Sequence, residues 1–593
     1  MTSFYKFLRS VNPSTAFPGH AGRRWPLARW RSLLATGDGS MVRLLWFNPL
    51  VRGLGRRARQ IRLASSVAFG AVTACGGSSG GPGAADAPHF VADSGGIDHS
   101  YEGDFQYFVG GGVAAFDCDD DGRSELFFAG GSAPAALYHN ESPTGGAFQF
   151  TSLPSPVTDL VGVTGAYPLD VDGDEHTDLA VLRVGEDAIL RGLGDCQFER
   201  ANDALGIDGG DSWTVAFSAT WEGANELPTL AFGDYLAADR ESCEDSRLLR
   251  PEPDGGRYAA PIALTPGYCT LSMLFSDWSG SGRRDLRLTN DRHYYRDGSD
   301  QLWRVAPGEE PQLYTEADGW RPLQIWGMGI ASEDLTGDGH PEVFLTSQGD
   351  NKLQTLADGP TRPAFEDIAL ARGATVHRPF AGGDVLPSTA WHAEFADVNN
   401  DGFSDLFVAK GNVEAEEGYA TRDPSNLLIG QADGTFVEGA ETAGILSYER
   451  ARGGALVDLN LDGLLDLVVV NRVEPVKLWR NVGSGEAGEP EPMGGWVAVR
   501  LRQPGPNVDA IGAWVETRVG EHTRTREVTV GGGHASGQLG WMHIGLGDAD
   551  AAEVRVTWPD GESGPWMTLS PGQFATIERG HTEPTAWEPE EQR

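Results

Sequence analysis

Apolar residues along this chain gather in short runs, and the runs return at long, nearly even intervals. LFFAGG from Leu126, LAVLRV from Leu179, VFLTSQ from Val343, LFVAKG from Leu406 and LVVVNR from Leu467 each follow a polar, acidic stretch. Shorter pieces come after them: ALYHN, LWRVA, NLLIG and KLWRN. Runs of this length, bounded by Gly and Asp, read as β-strands rather than helices. Other landmarks keep phase. Phe198, Phe365 and Phe436 are followed by Gly206, Gly373 and Gly444, and Phe90 with Gly96 and Ile97 is a shorter version. The apolar positions are read as packing between units. Each interval thus offers a few short strands and no amphipathic helix.

The acidic stretch is itself a repeat. It reads DCDDDGRSEL from Asp117, DVDGDEHTDL from Asp170, DLTGDGHPEV from Asp334, DVNNDGFSDL from Asp397 and DLNLDGLLDL from Asp458, with a weaker copy, DWSGSGRRDL, from Asp277. Consecutive starts lie 53, 57, 63 and 61 residues apart, and the gap of 107 from Asp170 to Asp277 leaves room for one more unit. Its middle, SWTVAFSATWEGANELPTLAFGDYL, puts Trp221, Gly223, Asn225 and Thr229 at the acidic positions, so it reads as a unit that kept its strand and lost its site. Repeats of this period signal propellers or solenoids. A four-stranded unit repeated around an axis leaves only short, protected edges. The fold class expected is all-β: a seven-bladed β-propeller followed by a small β-sandwich-like domain.

The motif carries oxygen side chains at positions 1, 3, 5 and 9, usually with Gly at 6. Alternate positions of a tight loop converge, and hard cations such as Ca²⁺ take six to eight oxygens at about 2.3–2.6 Å. The ligands expected are Asp117, Asp119, Asp121 and Glu125; Asp170, Asp172, Asp174 and Asp178; Asp334, Thr336, Asp338 and Glu342; Asp397, Asn399, Asp401 and Asp405; and Asp458, Asn460, Asp462 and Asp466. The carbonyls of Arg123, His176, His340, Phe403 and Leu464, at position 7, complete the sets. Carboxylates crowded this closely repel one another without a metal. An EF-hand would need Glu at position 12 and flanking helices, but position 12 is Phe128, Val181, Leu345, Val408 and Val469. Metal-free Asp/Gly turns are a weaker account of five good copies, and Mg²⁺, which prefers strict octahedra, fits worse. Two departures stand out: Ser279 and Ser281 replace carboxylates in the Asp277 copy, and Glu175 stands at a Gly position.

After NVGSGEAGEPEPMGG, a linker by composition, alternating strands with turn signals take over. The units from about 88 to 482 resemble FG-GAP/VCBS repeats, the type that builds the integrin α-subunit propeller. N-x-x-AIGA (Asn507 to Ala513), GGGHASGQ (Gly531 to Gln538) and GLG…VRVTWPDG (Gly545 to Gly561) resemble the ASPIC/UnbV domain. Both parts in this order resemble the cartilage acidic protein family and its bacterial relatives. The resemblance implies a calcium-binding, extracytoplasmic propeller that binds something; it carries no catalytic residues and no ligand identity.

Charge and the N-terminus refine this picture. Residues 1–74 hold twelve Lys/Arg and one acid, while the remainder holds 34 basic and 84 acidic residues, a net −50. A body this acidic repels nucleic acid and anionic lipid. RGLGRRARQIR and the apolar LASSVAFGAVTA read as a signal peptide, too short to span a bilayer. It ends in Val72-Thr73-Ala74-Cys75, which resembles a bacterial lipobox, making Cys75 the lipidation site; an ordinary cleaved signal is the alternative. Membrane association is expected only through that anchor, and the location at the cell surface or outer membrane, with secretion or the periplasm as alternatives. Residues 1–40 fit no part of a signal, and Met41 is a candidate start. The domains expected are 1–74 extension and signal, 75–88 Gly/Ser tether, 89–482 propeller, 483–495 linker, 496–577 β domain and 578–593 acidic disordered tail. Four cysteines remain in an exported chain, an even number that points to disulfides. Cys243–Cys269 is favoured, since the two bracket one loop; Cys118–Cys196 would follow. None sits at zinc-finger spacing.

No nucleophile pattern stands out. GHASG, from Gly533, is off register for G-x-S-x-G, and His534 is read as a turn or packing residue of the C-terminal domain. His293, Tyr294, Tyr295 and Arg296 share one loop and fit a polysaccharide lyase or hydrolase face or a binding patch; a loop simply anchored by its aromatics is the favoured reading. Trp213, Trp221, Trp278, Trp303, Trp326 and Trp391 are assigned to packing between blades. Adhesion, or protein or glycan binding, is the favoured function; a carbohydrate-active enzyme and a scaffold subunit are the alternatives.

Overall fold

The computed structural model describes residues 86–237, 239–253, 255–291 and 298–589. The N-terminal motifs ahead of residue 86, including Cys75, and the His293–Arg296 loop lie outside them. The described chain is all-β. From Val113 onward it runs as successive antiparallel meanders: Val113–Phe116, Glu125–Phe128, Ala136–Asn140 and Phe150–Ser152 form the first, and each later unit repeats the order. The first strands of successive units are Val113–Phe116, Val163–Leu169, Ser212–Thr220, Thr270–Ser276, Gly327–Glu333, Ala390–Ala396 and Ala451–Val457. Each touches the next, and the last touches the first, so the ring closes as a β-propeller. The closing unit borrows its outer strand from the other end of the chain: Phe90–Ala92 pairs with Lys477–Asn481. That is why Phe90 shares the phase of Phe198, Phe365 and Phe436, which open the outer strands of their own units. After those three strands one helical turn ends at Gly206, Gly373 and Gly444, each in the left-handed conformation that a side chain disfavours.

The first two strands of each unit are buried on both faces because neighbouring units cover both sides. Trp213, Trp221, Trp278, Trp303 and Trp391 are all buried, as packing residues should be. Two disulfides form, Cys118–Cys196 and Cys243–Cys269. Disulfides persist in oxidising compartments, so this is an exported chain.

The C-terminal domain is a pair of four-stranded sheets. One contains Met542–Gly547, Gly495–Arg502, Gln573–Glu578 and Thr585–Trp587; the other contains His522–Glu527, Trp514–Val519, Ala552–Thr557 and Met567–Leu569. Val497, Val499, Val515, Val554 and Leu569 fill the space between them. The tail differs from expectation. Thr585–Trp587 adds an edge strand to Gln573–Glu578, because Trp587 has apolar surface to cover and packs on Trp541 and Phe574.

Between the two sheets the chain leaves the domain and enters the ring. Val530, Gly531, Gly533 and Ser536 bridge to Ala219, Leu274, Ile330 and Ala166, all on innermost strands, and Gly537–Leu539 pairs in parallel with Val113–Phe116. Only a segment as thin as GGGHASG fits. Gly533 has φ +54°, and a Cβ there would lie 2.6 Å from the His392 ring. His534 is therefore a packing residue of the propeller rather than of its own domain. It is fully buried, accepts the Gly110 N–H at Nε2 (3.1 Å) and meets the Met328 carbonyl at Nδ1 (3.0 Å). Burial pushes its pKa down to about 3, so it stays neutral and is no base.

Candidate metal centre

Every acidic loop links the innermost strand of a unit to the second, and five of them share one hydrogen-bond skeleton. The position-1 carboxylate accepts the N–H of position 6: Asp117 from Gly122 (2.9 Å), Asp170 from Glu175 (2.9 Å), Asp334 from Gly339 (3.0 Å), Asp397 from Gly402 and Asp458 from Gly463 (both 2.8 Å). The position-5 carboxylate accepts the N–H of position 7: Asp121 from Arg123, Asp174 from His176, Asp338 from His340, Asp401 from Phe403 and Asp462 from Leu464. Position 9 opens the next strand and reaches back to the N–H of position 2: Glu125 to Cys118, Asp178 to Val171, Glu342 to Leu335, Asp405 to Val398 and Asp466 to Leu459. Position 6 is left-handed throughout, which is the reason for Gly; Glu175 takes the same conformation at φ +73°.

The first two loops bring their oxygens together most closely. Ligand atoms of Asp117, Asp119 and Asp121 lie within 4.8 Å of one another, as do those of Asp170, Asp172 and Asp178. In the loops at Asp334, Asp397 and Asp458 no such trio of carboxylates gathers; there Thr336, Asn399 and Asn460 stand at position 3. Asn399 and Asn460 each donate an amide N–H to the position-5 carboxylate (both 3.0 Å).

The electrostatics fit a cation. Buried Asp117 Oδ1, Asp172 Oδ1 and Asn460 Oδ1 have no hydrogen-bond partner, an expensive arrangement unless something else satisfies them. Burial, then neighbouring carboxylates, pushes Asp397 up to about 7 and Asp405, Asp458 and Asp466 well above the ordinary range. Burial likewise raises Asp117 and Asp170 to about 6, Asp178 to about 8, and Glu125 and Glu342 to about 7. These acidic clusters can hold metal ions.

The two degenerate units hold a guanidinium where the others concentrate acid. At Asp277, Arg283 Nε pairs with Asp285 Oδ1 (2.8 Å) and Trp278 Nε1 donates to the other oxygen (2.9 Å). In the preceding unit Arg250 Nε pairs with Glu222 (2.7 Å), which also accepts from Thr229. The carboxylate that balances each arginine makes a cation unnecessary.

The C-terminal domain sits against these same loops. Trp541 Nε1 donates to the Gly122 carbonyl (3.1 Å), Thr525 Oγ1 to Asp334 Oδ2 (2.9 Å), and His543 Nε2 meets Asn400 Oδ1 (2.6 Å). Glu527 accepts the Asp277 N–H (3.1 Å), and Arg284 reaches the Pro559 carbonyl (3.3 Å). Trp496 fills the space over Gly463. Motif spacing did not reveal Thr525, Glu527 or Trp541, which lie far along the chain from the loops they touch. A further missed neighbour is His139, whose Nδ1 lies 3.2 Å from Glu125 Oε1 and 3.6 Å from Asp119 Oδ2.

Comparison with known proteins agrees with this division. The FG-GAP-like repeat family matches residues 117–181, 334–408 and 397–469, and the ASPIC and UnbV family matches 503–584. The chain is similar to cartilage acidic protein 1 of Mus musculus, 26% identical over 257 residues (38% of this chain, 36% of that one), and of Homo sapiens, 25% identical over 245 residues (40% and 33%). The matched part spans about a third of those relatives' length. Among solved structures, AofleA from Arthrobotrys oligospora aligns at TM-score 0.32 and 11% identity, covering 59% of this chain and 88% of that one. The calcium structure of Trichoderma reesei Carbohydrate-Active Enzymes Family AA12 aligns at TM-score 0.32 and 7% identity (67% and 98%). The chain thus carries FG-GAP-like repeats followed by an ASPIC and UnbV domain.

Proposed function

We propose that this is an exported, calcium-binding, seven-bladed β-propeller that binds a protein or glycan partner at the cell surface, held there by a lipid on Cys75. The observation that carries the calcium assignment is the pair of buried, unpartnered loop oxygens at Asp172 and Asn460. Calcium satisfies many hard oxygens at once without demanding a rigid octahedron. Its role is structural: it neutralises the loops on which the C-terminal domain rests.

The same contacts favour one side for the partner. With the acidic-loop side covered by the C-terminal domain, the loops at the other ends of the strands remain. These include the exposed apolar residues Phe105, Val161, Val385 and Leu386. Phe105 sits edge-on to Trp213 (5.8 Å), which packs on Tyr235 (4.8 Å). Aromatic anchors of this kind concentrate at binding surfaces.

Calorimetric calcium titration of the metal-stripped protein, with melting followed in parallel, tests the metal assignment. Heat from several sites and a Tm that rises with calcium are expected. Asp401→Ala should lower Tm more in calcium than in EDTA; equal losses in both would remove Asp401 from the ligand set.

A further inference from the structure

We propose that the first acidic loop selects a borderline transition ion of the Zn²⁺ type, bound through Asp119, Glu125 and His139, while the other loops take oxygen donors alone. The proposal rests on the metal assignment above. Strand register singles out His139. In the first unit Leu126 pairs with Tyr138, in the second Leu179 with Leu190, and in the later ones Val343 with Gln354, Leu406 with Leu428 and Leu467 with Trp479. One step along, position 9 of each loop faces His139, Arg191, Thr355, Ile429 and Arg480 in turn. Arginine is a cation and stays protonated, threonine offers a weak oxygen and isoleucine offers nothing. Of these five residues opposite position 9 only His139 is an imidazole, a donor with little affinity for Ca²⁺ and a strong one for Zn²⁺ and its neighbours.

The geometry suits that ion. His139 Nδ1 lies 3.2 Å from Glu125 Oε1 and 3.6 Å from Asp119 Oδ2. Adjacent donors around a tetrahedral ion with bonds of about 2.1 Å are separated by roughly 3.4 Å. Glu125 is wholly buried and the imidazole is mostly covered, so two of the donors are held in place by the strands that carry them. Buried Asp117 Oδ1, with no hydrogen-bond partner, stands in the same loop. The Cys196 sulfur belongs to the cluster too, but its bond to Cys118 removes it as a thiolate donor, leaving one nitrogen and carboxylate oxygens.

The test is a Co²⁺ titration of the metal-stripped, full-length protein with calcium in large excess, read by visible absorption. One equivalent of Co²⁺ should bind, give a d–d band, and be displaced by Zn²⁺. His139→Gln, on a partly exposed side chain, should abolish the band and leave calcium stoichiometry unchanged. Asp172→Asn, in the second loop, should leave the band intact. A calcium titration of normal stoichiometry with no Co²⁺ band, or a band that survives His139→Gln, overturns the proposal and makes His139 a counter-charge only. Failure to bind either ion would overturn the metal assignment as well.

Discussion

Removing metal should invert the pH dependence of stability, and the loops at Asp397 and Asp458 set the size of the effect. Asp397 moves from 3.8 to about 7 on folding, through burial and the nearby Asp401; Asp405, Asp458 and Asp466 shift in the same direction. A raised folded-state value means that the metal-free loop keeps its proton while the unfolded chain has lost it. The stabilisation is complete below about pH 3.8 and is lost as pH climbs through about 7. Each retained proton costs about 1.4 kcal/mol of stability per pH unit across that window. Asp397 alone, over roughly three units, amounts to ~4 kcal/mol, an upper value because loop carboxylates share protons and the loop can relax. Bound calcium displaces those protons, and its affinity rises with pH. Scanning calorimetry from pH 5 to pH 8 should therefore find Tm falling with pH in EDTA and rising, or flat, in saturating calcium. Parallel profiles under the two conditions would refute the loop carboxylates as the titrating, metal-linked groups.

Two further outcomes follow from covalent and steric constraints. Gly533→Val should uncouple the C-terminal segment from the ring, since φ +54° and a contact of 2.6 Å to His392 both exclude a Cβ; limited proteolysis cutting within 528–541, absent in the parent, would register it. Cys118→Ser removes a cross-link spanning 78 residues, worth about 4.5 kcal/mol by loop entropy; a denaturant midpoint that does not move would show that the first loop is held by other contacts.

The repeat and the turn geometry of its acidic loops were legible because each is local. A ten-residue motif records its own turn, its hydrogen-bond skeleton and the strand that follows. Position 9 is read as bringing a carboxylate back to the loop, and in the structure Glu125, Asp178, Glu342, Asp405 and Asp466 do so by accepting the N–H of position 2. The substitutions at Ser279 and Ser281 likewise announced a weakened site, although the compensating Arg283–Asp285 pair needed the fold to be seen. The tail was misjudged on composition: acidic and Pro-rich, TEPTAWEPEEQR nonetheless carries Trp587, and one aromatic with a receptive neighbour suffices to dock an edge strand.

What no local pattern contained is the traffic between the domains. GGGHASG has the composition of a flexible turn, and its glycines have a different cause: backbone passing within contact distance of the innermost strands. Thr525 on Asp334 and Glu527 at Asp277 belong to the same arrangement, in which one side of the ring is both acidic and covered. An acidic surface repels itself, and the seat for the C-terminal domain is made of carboxylates. A cation at each loop would remove that repulsion where the domain rests, as the guanidinium charges of Arg250 and Arg283 do in the two degenerate units. With metal bound, loading and domain docking would be one equilibrium, and stripping the loops should also loosen the segment that fills the ring.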